Sequence, residues 1–289
     1  MPELPEVETR ARSLRQGGQG RASILGRTAA RATLEWDRTL AEPDPLTFAA
    51  RIVGQTVGEV GRRGKFLMIS FDADTLLIHL RMSGDIRVEA GLDKHNQPLP
   101  LLPHDRLALD FTDGWRLAFN DTRKFGRVWL VSDPETVLGG LGPEPFDPHF
   151  SAFELYRRLQ SARRQIKPLL LDQTFLAGMG NIYTDEALHI AGIHPLRLSN
   201  TLSPEQAGIL WTAIRTVLSE GIRRNGASID WVYRGGDFQN HFQVYQRAGE
   251  PCARCGTPIV KIAVGQRGTH FCPVCQPESV QPDQAGHGT

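Results

Sequence analysis

Polar and hydrophobic residues alternate through much of the first half of the chain, and this period of two predicts β-strands. Short turns at residues 72–74 and 112–114 separate the strands into pairs, so we predict two β-hairpins. Several hairpins in succession predict an antiparallel sandwich or a barrel-like domain. The predicted strands are residues 65–71, 75–82, 106–111 and 115–120, and residues 89–103 between them predict a flexible surface loop.

Helical periodicity replaces this alternation near Asp133. A proline-rich stretch, residues 142–148, lies at the change of pattern and predicts a linker. Ser203-Pro-Glu-Gln206 has the order of a capping box, with proline at the first helical position, and predicts the start of the longest helix. The predicted helices are residues 152–159, 166–171, 182–191 and 204–224.

The first residues of the chain predict a further helix. Leu4, Val7, Ala11 and Leu14 form an apolar stripe at helical spacing, and acidic residues in the first turn favour the positive helix N-terminus. Removal of the initiator methionine would make Pro2 the amino terminus, and its ring nitrogen a secondary amine. Such an amine can act as a nucleophile, beside a carboxylate able to transfer protons. An ordinary capped helix that retains its methionine is the alternative.

Length, net charge and hydropathy limit the class of protein but do not indicate a function. The 289 residues can bury a sizeable core and predict two domains. The net charge is only +1, so bulk charge does not indicate a nucleic-acid-binding protein. The chain has neither a long apolar run nor the basic-then-apolar start of a signal peptide, and we expect a soluble cytoplasmic protein.

The four cysteines predict a metal site. Cys252 and Cys255 form one Cys-x-x-Cys pair, and Cys272 and Cys275 form a second pair close behind it. Two such pairs can wrap four thiolates tetrahedrally around one zinc, which is a closed site without a position for a substrate water. We therefore predict one structural Zn²⁺ that stabilises a small β-hairpin. Two pairs of solvent-exposed thiols are the alternative.

Three segments together carry a resemblance to a known family. Pro2-Glu-Leu-Pro-Glu-Val-Glu-Thr9 resembles the opening of bacterial formamidopyrimidine-DNA glycosylase, the base-excision enzyme for oxidised purines. Residues 176–187, Leu-Ala-Gly-Met-Gly-Asn-Ile-Tyr-Thr-Asp-Glu-Ala, resemble the helix–two-turn–helix motif of that family. Residues 264–270, between the two cysteine pairs, resemble its zinc-finger loop.

The resemblance implies an α+β fold. An N-terminal antiparallel β-sandwich carries the N-terminal helix, and a helical C-terminal domain contains the helix–two-turn–helix motif and a zinc-finger β-hairpin. The implied segments are a catalytic sandwich domain at residues 1–132, a linker at 133–150, a helical DNA-binding domain at 151–242, a four-cysteine zinc finger at 243–276 and a disordered tail at 277–289.

The same resemblance implies a bifunctional DNA glycosylase and AP lyase. Its substrate is double-stranded DNA with a damaged base, such as 8-oxoguanine or a formamidopyrimidine, preferably opposite cytosine, and the protein is expected to be a monomer without a redox cofactor or catalytic metal. Pro2 is the implied nucleophile and Glu3 the acid and base, while Glu6 positions the amine. Lys65 binds the phosphate beside the damaged nucleotide in the catalytic site.

The resemblance also implies a DNA-binding set. Met82 and Phe125 would fill the duplex where the base leaves, and Arg123 would contact the opposite cytosine. Asn181 is expected to cap a helix whose first turn accepts a phosphate. The other implied phosphate contacts are His104, Lys124, Lys167 and Arg267. Residues 227–242 fall where the family has its lesion-recognition loop, and no base-reading side chain is assigned there.

Taken one at a time, these motifs leave other interpretations open. The glycines before Asn181 are compatible with a simple turn before a capped helix, and Arg267 with a solvated turn residue. For the whole chain, one alternative is the sister endonuclease VIII type, which excises oxidised pyrimidines. Another is a non-catalytic zinc-ribbon DNA-binding protein, which would need the four cysteines but neither Pro2 nor Glu3.

Overall fold

The computed structural model describes residues 1–17, 22–228 and 235–278. The chain forms two compact units, one of Met1–Leu141 with Gly221–Gln239 and the other of Gly142–Glu220 with Asn240–Thr289. The helical domain is predicted to span residues 151–242, whereas residues 221–239 belong to the first unit. Residues 229–234 of the predicted lesion-recognition loop and residues 279–289 of the predicted tail lie outside the described residues.

The first unit contains two β-sheets. A five-stranded sheet has the order β2-β9-β5-β4-β3, and a four-stranded sheet has the order β1-β7-β8-β6. Both predicted hairpins are present, as the antiparallel pairs β4–β5 and β7–β8. The strands are β1 (Ala29–Leu34), β2 (Leu40–Glu42), β3 (Val57–Arg63), β4 (Phe66–Phe71), β5 (Thr75–His79), β6 (Gly84–Ala90), β7 (Asp105–Phe111), β8 (Trp115–Asp121) and β9 (Arg127–Val131).

One hydrophobic core joins both sheets to the first helix, α1 (Leu4–Gln16). The apolar stripe predicted for α1 is buried, and Val7, Ala11 and Leu14 are part of this core. Alternate residues of β4, including Leu67 and Ile69, point into it, as the period of two requires. Two short helices, α2 (Pro45–Ile52) and α3 (Glu135–Leu138), complete the described helices of this unit before residue 141.

Ion pairs fix α1 to strands of both sheets. The Glu8 carboxylate lies 3.1 Å from Arg62 of β3 and 3.1 Å from Arg15 of α1 itself. On the other side, the buried Arg10 guanidinium lies 2.6 Å from the Asp85 carboxylate on β6. Because Glu8, Arg10 and Arg62 are largely removed from water, the orientation of α1 is set by specific pairs as well as by apolar packing.

The sandwich departs from the prediction at one strand pair. Every named pair in the two sheets is antiparallel except β2 and β9, which run parallel with Leu40 opposite Val128. Three residues are too few for an alternating pattern to reveal β2. Parallel neighbours also need a long connection, so no nearby turn signals this pairing.

The predicted surface loop at residues 89–103 is shorter than expected. Glu89 and Ala90 are the last residues of β6, opposite Arg116 and Trp115 of β8. The buried Arg116 guanidinium also donates a hydrogen bond to the Leu99 carbonyl at 2.9 Å. A buried side chain from the sheet therefore ties the end of this loop to β8, which the polar composition of the loop does not indicate.

The second unit contains helices and one β-hairpin. The start predicted for the longest helix is confirmed, because the Gln206 amide donates to Ser203 Oγ at 3.2 Å and the Ser203 amide donates to Gln206 Oε1 at 3.1 Å. No helix in the described ranges is long and apolar enough to cross a membrane. The elements are α4 (Ala152–Ala162), α5 (Ile166–Leu171), α6 (Asn181–Ala191), α7 (Pro204–Arg223), β10 (Val260–Val264) and β11 (Arg267–Phe271).

Residues 142–150, predicted as part of a linker, are packed onto the second unit. The Gly142 amide donates to the Gln173 carbonyl at 2.8 Å, and the Trp211 indole donates to the Phe150 carbonyl at 2.8 Å. A Cβ atom at Gly142 would lie 2.6 Å from backbone atoms of Thr174 and Phe175. The backbone can approach this closely only where no side chain intervenes.

This close approach predicts opposite effects of the same substitution at two positions of the second unit. Gly142→Ala should lower the free energy of unfolding by about 1–3 kcal/mol, because the clash is with backbone that cannot rotate away. Gly208→Ala, inside α7 with open space around its Cβ, should raise it by about 1 kcal/mol. Urea denaturation of both variants checks the pair; equal shifts would contradict the packing argument.

Candidate functional site

The N-terminus of α1 carries the predicted catalytic residues. Pro2 is buried and Glu3, the residue that precedes the helix, is only 2% exposed. The Glu3 amide donates to Glu6 Oε2 at 2.7 Å in a capping-box arrangement. The other oxygen of the Glu6 carboxylate, Oε1, accepts a hydrogen bond from the Ala227 amide at 2.8 Å. One buried carboxylate therefore joins the backbone beside Pro2 to a segment more than two hundred residues away.

Gly226 makes this junction possible. Its φ of +80° is a left-handed conformation that favours glycine, and a Cβ atom there would lie 2.6 Å from Glu6 Oε1. Ala227 is the first residue of the segment predicted to form the lesion-recognition loop, residues 227–242, of which 229–234 lie outside the described ranges. Glu6 thus touches the base of that segment as well as the start of α1.

Lys65 lies in the turn between β3 and β4, and these are the strands along which α1 packs. It is only 4% exposed, unlike an ordinary solvated turn lysine. The neighbouring His79 ring is buried, and burial, followed by the charges of Arg81 and Lys65, lowers the pKa of His79 to about 3. The imidazole is therefore neutral near pH 7, and its Nδ1 accepts a hydrogen bond from the Arg81 amide at 3.1 Å.

Two turns present the residues predicted to fill the duplex. Met82 is 37% exposed and Phe125 is 51% exposed, both unusual for large apolar side chains. The buried Asp121 carboxylate joins their turns, because it pairs with the Ser83 hydroxyl and accepts a hydrogen bond from the Gly126 amide at 2.7 Å. The structure thus brings Met82 and Phe125, distant in sequence, onto two turns with one buried anchor.

The predicted contact of the opposite cytosine, Arg123, and two predicted phosphate contacts lie near the same anchor. The Arg123 amide donates to Ser83 Oγ at 3.2 Å, and the Arg123 guanidinium lies 5.1 Å from the Phe125 ring centroid. The Asp121 amide donates to the carbonyl of His104, whose side chain is exposed. Lys124 is exposed too, with its Nζ 3.8 Å from the centroid of the Trp36 ring. A cationic and aromatic surface thus surrounds the two apolar side chains.

In the second unit, Asn181 does not occupy the helix position predicted for it. The residue that caps α6 is Gly180, in an extended conformation, and Asn181 is the first residue inside the helix. The prediction that Asn181 caps the helix is therefore wrong. Its side-chain amide instead donates to the Gly268 carbonyl on β11 at 3.0 Å. The helix N-terminus remains an anion-binding geometry, now with the zinc-finger hairpin held beside it.

Lys167 is the second correction. The sequence predicts a DNA contact, but the side chain is fully buried and its ammonium lies 2.6 Å from the Asp185 carboxylate. It also donates to the Gly268 carbonyl at 3.0 Å, the same oxygen that Asn181 binds. The other oxygen of Asp185 accepts a hydrogen bond from the His270 amide at 2.9 Å. Lys167 therefore fixes the hairpin internally instead of presenting its charge at the surface.

Arg267 lies at the tip of that hairpin, and its side chain is exposed. Gly265 and Gln266 form the turn with φ values of +55° and +61°, which suits a tight two-residue connection. Because the backbone carbonyl next to Arg267 is held by Lys167 and Asn181, the guanidinium projects from a fixed base. A fork of this kind can bind two oxygens of a phosphate.

The four cysteines form the predicted metal site. Their Sγ atoms all lie within 4.8 Å of one another, with 3.9 Å between Cys252 and Cys275 and 3.4 Å between Cys255 and Cys272. Zn–S bonds of about 2.3 Å in a tetrahedron place the sulfur atoms roughly 3.8 Å apart, so the four thiols fit one zinc ion. All four positions are filled by protein, which is the arrangement of a structural site.

Two buried acids that hold this region were not identified from the sequence. Asp185 has just been described, and Glu186 accepts hydrogen bonds from the amides of Gln243, Val244 and Tyr245 at 2.8–3.0 Å. Burial raises the pKa of Glu186, while these three amides act in the opposite direction. The sequence offers little sign of their burial, because acidic residues of a helix usually face water. The one signal is that the two acids are adjacent within the motif at residues 176–187.

Comparison with known proteins decides the family. Models for the formamidopyrimidine-DNA glycosylase N-terminal domain and H2TH domain match residues 1–128 and 141–232, and the zinc finger found in FPG and IleRS matches residues 249–277. The chain belongs to the formamidopyrimidine-DNA glycosylase family. The formamidopyrimidine-DNA glycosylase of Chloroflexus aurantiacus is 48% identical over 98% of this chain and 100% of its own length, and that of Chloroflexus aggregans is 46% identical over 96% and 98%.

Solved structures of this glycosylase family have the same fold. The complex between Lactococcus lactis FPG (MutM) and a FAPY-dG containing DNA has a TM-score of 0.85 and 37% identity, over 96% of this chain and 100% of that chain. The same enzyme bound to DNA with an abasic site gives the same values. The resemblance drawn from the sequence and the predicted fold class are both confirmed.

The buried ion pair in the second unit predicts a non-additive effect on stability. Lys167→Met leaves the Asp185 carboxylate buried without its counter-ion and should lower the free energy of unfolding by about 3–5 kcal/mol. Adding Asp185→Asn removes the charge but keeps an oxygen for the His270 amide, so the double variant should recover most of the loss. Thermal and urea unfolding measure both. Additive losses would show that Lys167 does not act through Asp185.

Proposed function

We propose that this protein is a bifunctional DNA glycosylase and AP lyase of base-excision repair that removes oxidised purines, 8-oxoguanine and formamidopyrimidines, from double-stranded DNA. The observation that carries the proposal is the start of α1, where Pro2 and Glu3 are buried beside the Glu6 carboxylate, in a chain of which 98% aligns with a relative of this family. The Lactococcus enzyme bound to FAPY-dG DNA supports the substrate class. The cytoplasm suits four thiols that hold zinc instead of forming disulfides.

The proposed reaction begins at the Pro2 nitrogen, after removal of Met1. The amine attacks C1′ of the damaged nucleoside, and the glycosidic bond breaks with its electron pair leaving on the base. The base takes a proton, with Glu3 as the donor, and opening of the sugar with loss of the amine proton yields an iminium ion. Successive β- and δ-elimination then expel the two flanking phosphates and leave a gap of one nucleoside. One structural zinc accompanies this chemistry without entering it.

Positioning of the amine falls to Glu6 in this proposal. Its carboxylate fixes the Glu3 amide, and so the backbone next to Pro2, while the same group holds the Ala227 amide. Holding a nucleophile in one geometry can supply a large part of a rate enhancement. Lys65, buried on the hairpin under α1, is proposed to bind the phosphate beside the damaged nucleotide.

Eversion of the base is assigned to the two turns anchored by Asp121. Taking a base out of the stack costs a few kcal/mol, and an inserted side chain offsets part of that cost. Met82 and Phe125 are exposed and apolar. Arg123 lies beside Phe125, and its guanidinium is proposed to donate hydrogen bonds to the opposite cytosine. The proposed phosphate contacts are His104, Lys124, Asn181 and Arg267.

A covalent trap tests the nucleophile. Borohydride should crosslink the protein to an 8-oxoguanine:cytosine duplex, and peptide mass spectrometry should place the crosslink at Pro2. Pro2→Gly should keep lesion binding but lose most strand cleavage, whereas Pro5→Ala, in the same helix turn, should still trap. Undiminished cleavage by Pro2→Gly would move the nucleophile elsewhere. Trapping on thymine glycol in preference to 8-oxoguanine would favour the endonuclease VIII type, and DNA binding without any trapping would favour the non-catalytic zinc-ribbon protein.

Salt dependence tests the hairpin tip. Arg267→Ala should weaken binding to every duplex and lower the slope of log K against log salt by about one unit, because one phosphate contact is lost. Lys261→Ala, an exposed cation on β10 of the same hairpin, is the matched control and should change the slope less. An unchanged slope for Arg267→Ala would place that arginine off the DNA.

A further inference from the structure

One histidine beside the zinc site belongs to neither the motifs nor the proposed reaction. His189 lies near the end of α6 and is 1% exposed. Its Nε2 atom is 3.5 Å from Sγ of Cys252, which is itself 2% exposed. The other ring nitrogen, Nδ1, is buried and has no hydrogen-bond partner in the described part of the chain. In the described part of the chain this buried imidazole thus has one hydrogen-bond partner, and that partner is a proposed zinc ligand.

The backbone of His189 makes a second contact with the segment of the first cysteine pair. Arg254, between Cys252 and Cys255, donates a hydrogen bond from Nη1 to the His189 carbonyl at 3.0 Å. The same carbonyl accepts a hydrogen bond from the Gly192 amide at 3.1 Å, and a cation near the last turn of a helix is favourable. Backbone and side chain of His189 therefore both contact the loop that holds two of the four sulfur atoms.

We propose that His189 is a positioning residue of the zinc site, donating its Nε2–H to the Cys252 thiolate. A zinc-bound thiolate can only accept a hydrogen bond, so the nitrogen facing it must carry the proton. The opposite tautomer would leave a buried N–H without an acceptor and would turn a lone pair towards a negatively charged sulfur, and both are costly. The neutral Nε2–H tautomer satisfies the one hydrogen bond that the described residues offer the ring.

This hydrogen bond would act on both the metal and the fold. Donation to a ligand withdraws part of the thiolate charge, orients the sulfur and opposes the protonation that releases zinc. Asn181 is the first residue of α6 and His189 lies near its end. The two ends of this helix therefore hold different parts of the finger, the Gly268 carbonyl and the Cys252 thiol. Loss of the donor should loosen the metal before it affects the hairpin tip.

Zinc release measures the effect directly. Zinc-loaded full-length His189→Phe and His189→Met, which fill the space without an N–H, should release zinc to a colorimetric chelator about tenfold faster or more, in line with other partners of metal ligands. His189→Gln retains an N–H donor and should lie closer to the wild type. His194→Phe is the matched control, because this buried ring packs on Phe271 with 4.7 Å between ring centroids and has no described contact with a cysteine.

Wild-type release by both His189→Phe and His189→Met would overturn the proposal. So would equal acceleration in His194→Phe, which would indicate general loosening of the unit. A second measurement needs no variant: long-range ¹H–¹⁵N correlation spectra of the zinc-loaded wild-type protein should show His189 neutral with the proton on Nε2. A proton on Nδ1 alone would refute the hydrogen bond even if the variants failed to fold.

Discussion

A buried carboxylate must have its oxygens hydrogen-bonded or paired, and this constraint organises both units. Glu6, Asp121, Asp185 and Glu186 are each nearly inaccessible to water, and each accepts hydrogen bonds from segments distant in sequence. Leaving such a group without partners costs several kcal/mol, whereas the hydrophobic effect has no preferred direction. The carboxylates therefore specify which turns meet, and the hydrophobic cores supply the bulk of the stability around them.

Most of these acids are not proposed to touch DNA, but they hold in place the side chains that are. Five of the residues assigned to DNA, Met82, His104, Arg123, Lys124 and Phe125, are exposed on or beside turns. Met82 and Phe125 share Asp121 as an anchor, and Arg267 projects from a backbone fixed by the pair of Lys167 and Asp185. A rigid anchor under an exposed side chain removes part of the entropic cost of ordering that side chain on a ligand. At the start of α1, the Glu6 carboxylate likewise fixes the backbone beside the Pro2 amine.

Helix α6 is the clearest case of one element serving several tasks. Asn181, Asp185, Glu186 and His189 recur at intervals that bring them towards the finger side of the helix, and each contacts a different part of the segment from residue 243 onwards. A finger of some thirty residues buries little apolar surface, so it needs a metal and a platform. The polar face of α6 provides that platform, and the four sulfur atoms provide the metal site.

Local patterns in the sequence determined the hairpins, the helix starts, the four zinc ligands and the resemblance of the opening residues to the glycosylase family, because periodicity, turn residues and spacing act over a few positions. Only the tertiary structure decided that Lys167 is buried with Asp185, that Asn181 lies inside α6 and reaches Gly268, and that Ala227 returns to Glu6. Each of these depends on which distant group supplies the partner of a buried charge or amide, and a polar residue looks the same in sequence whether that partner is water or another part of the chain.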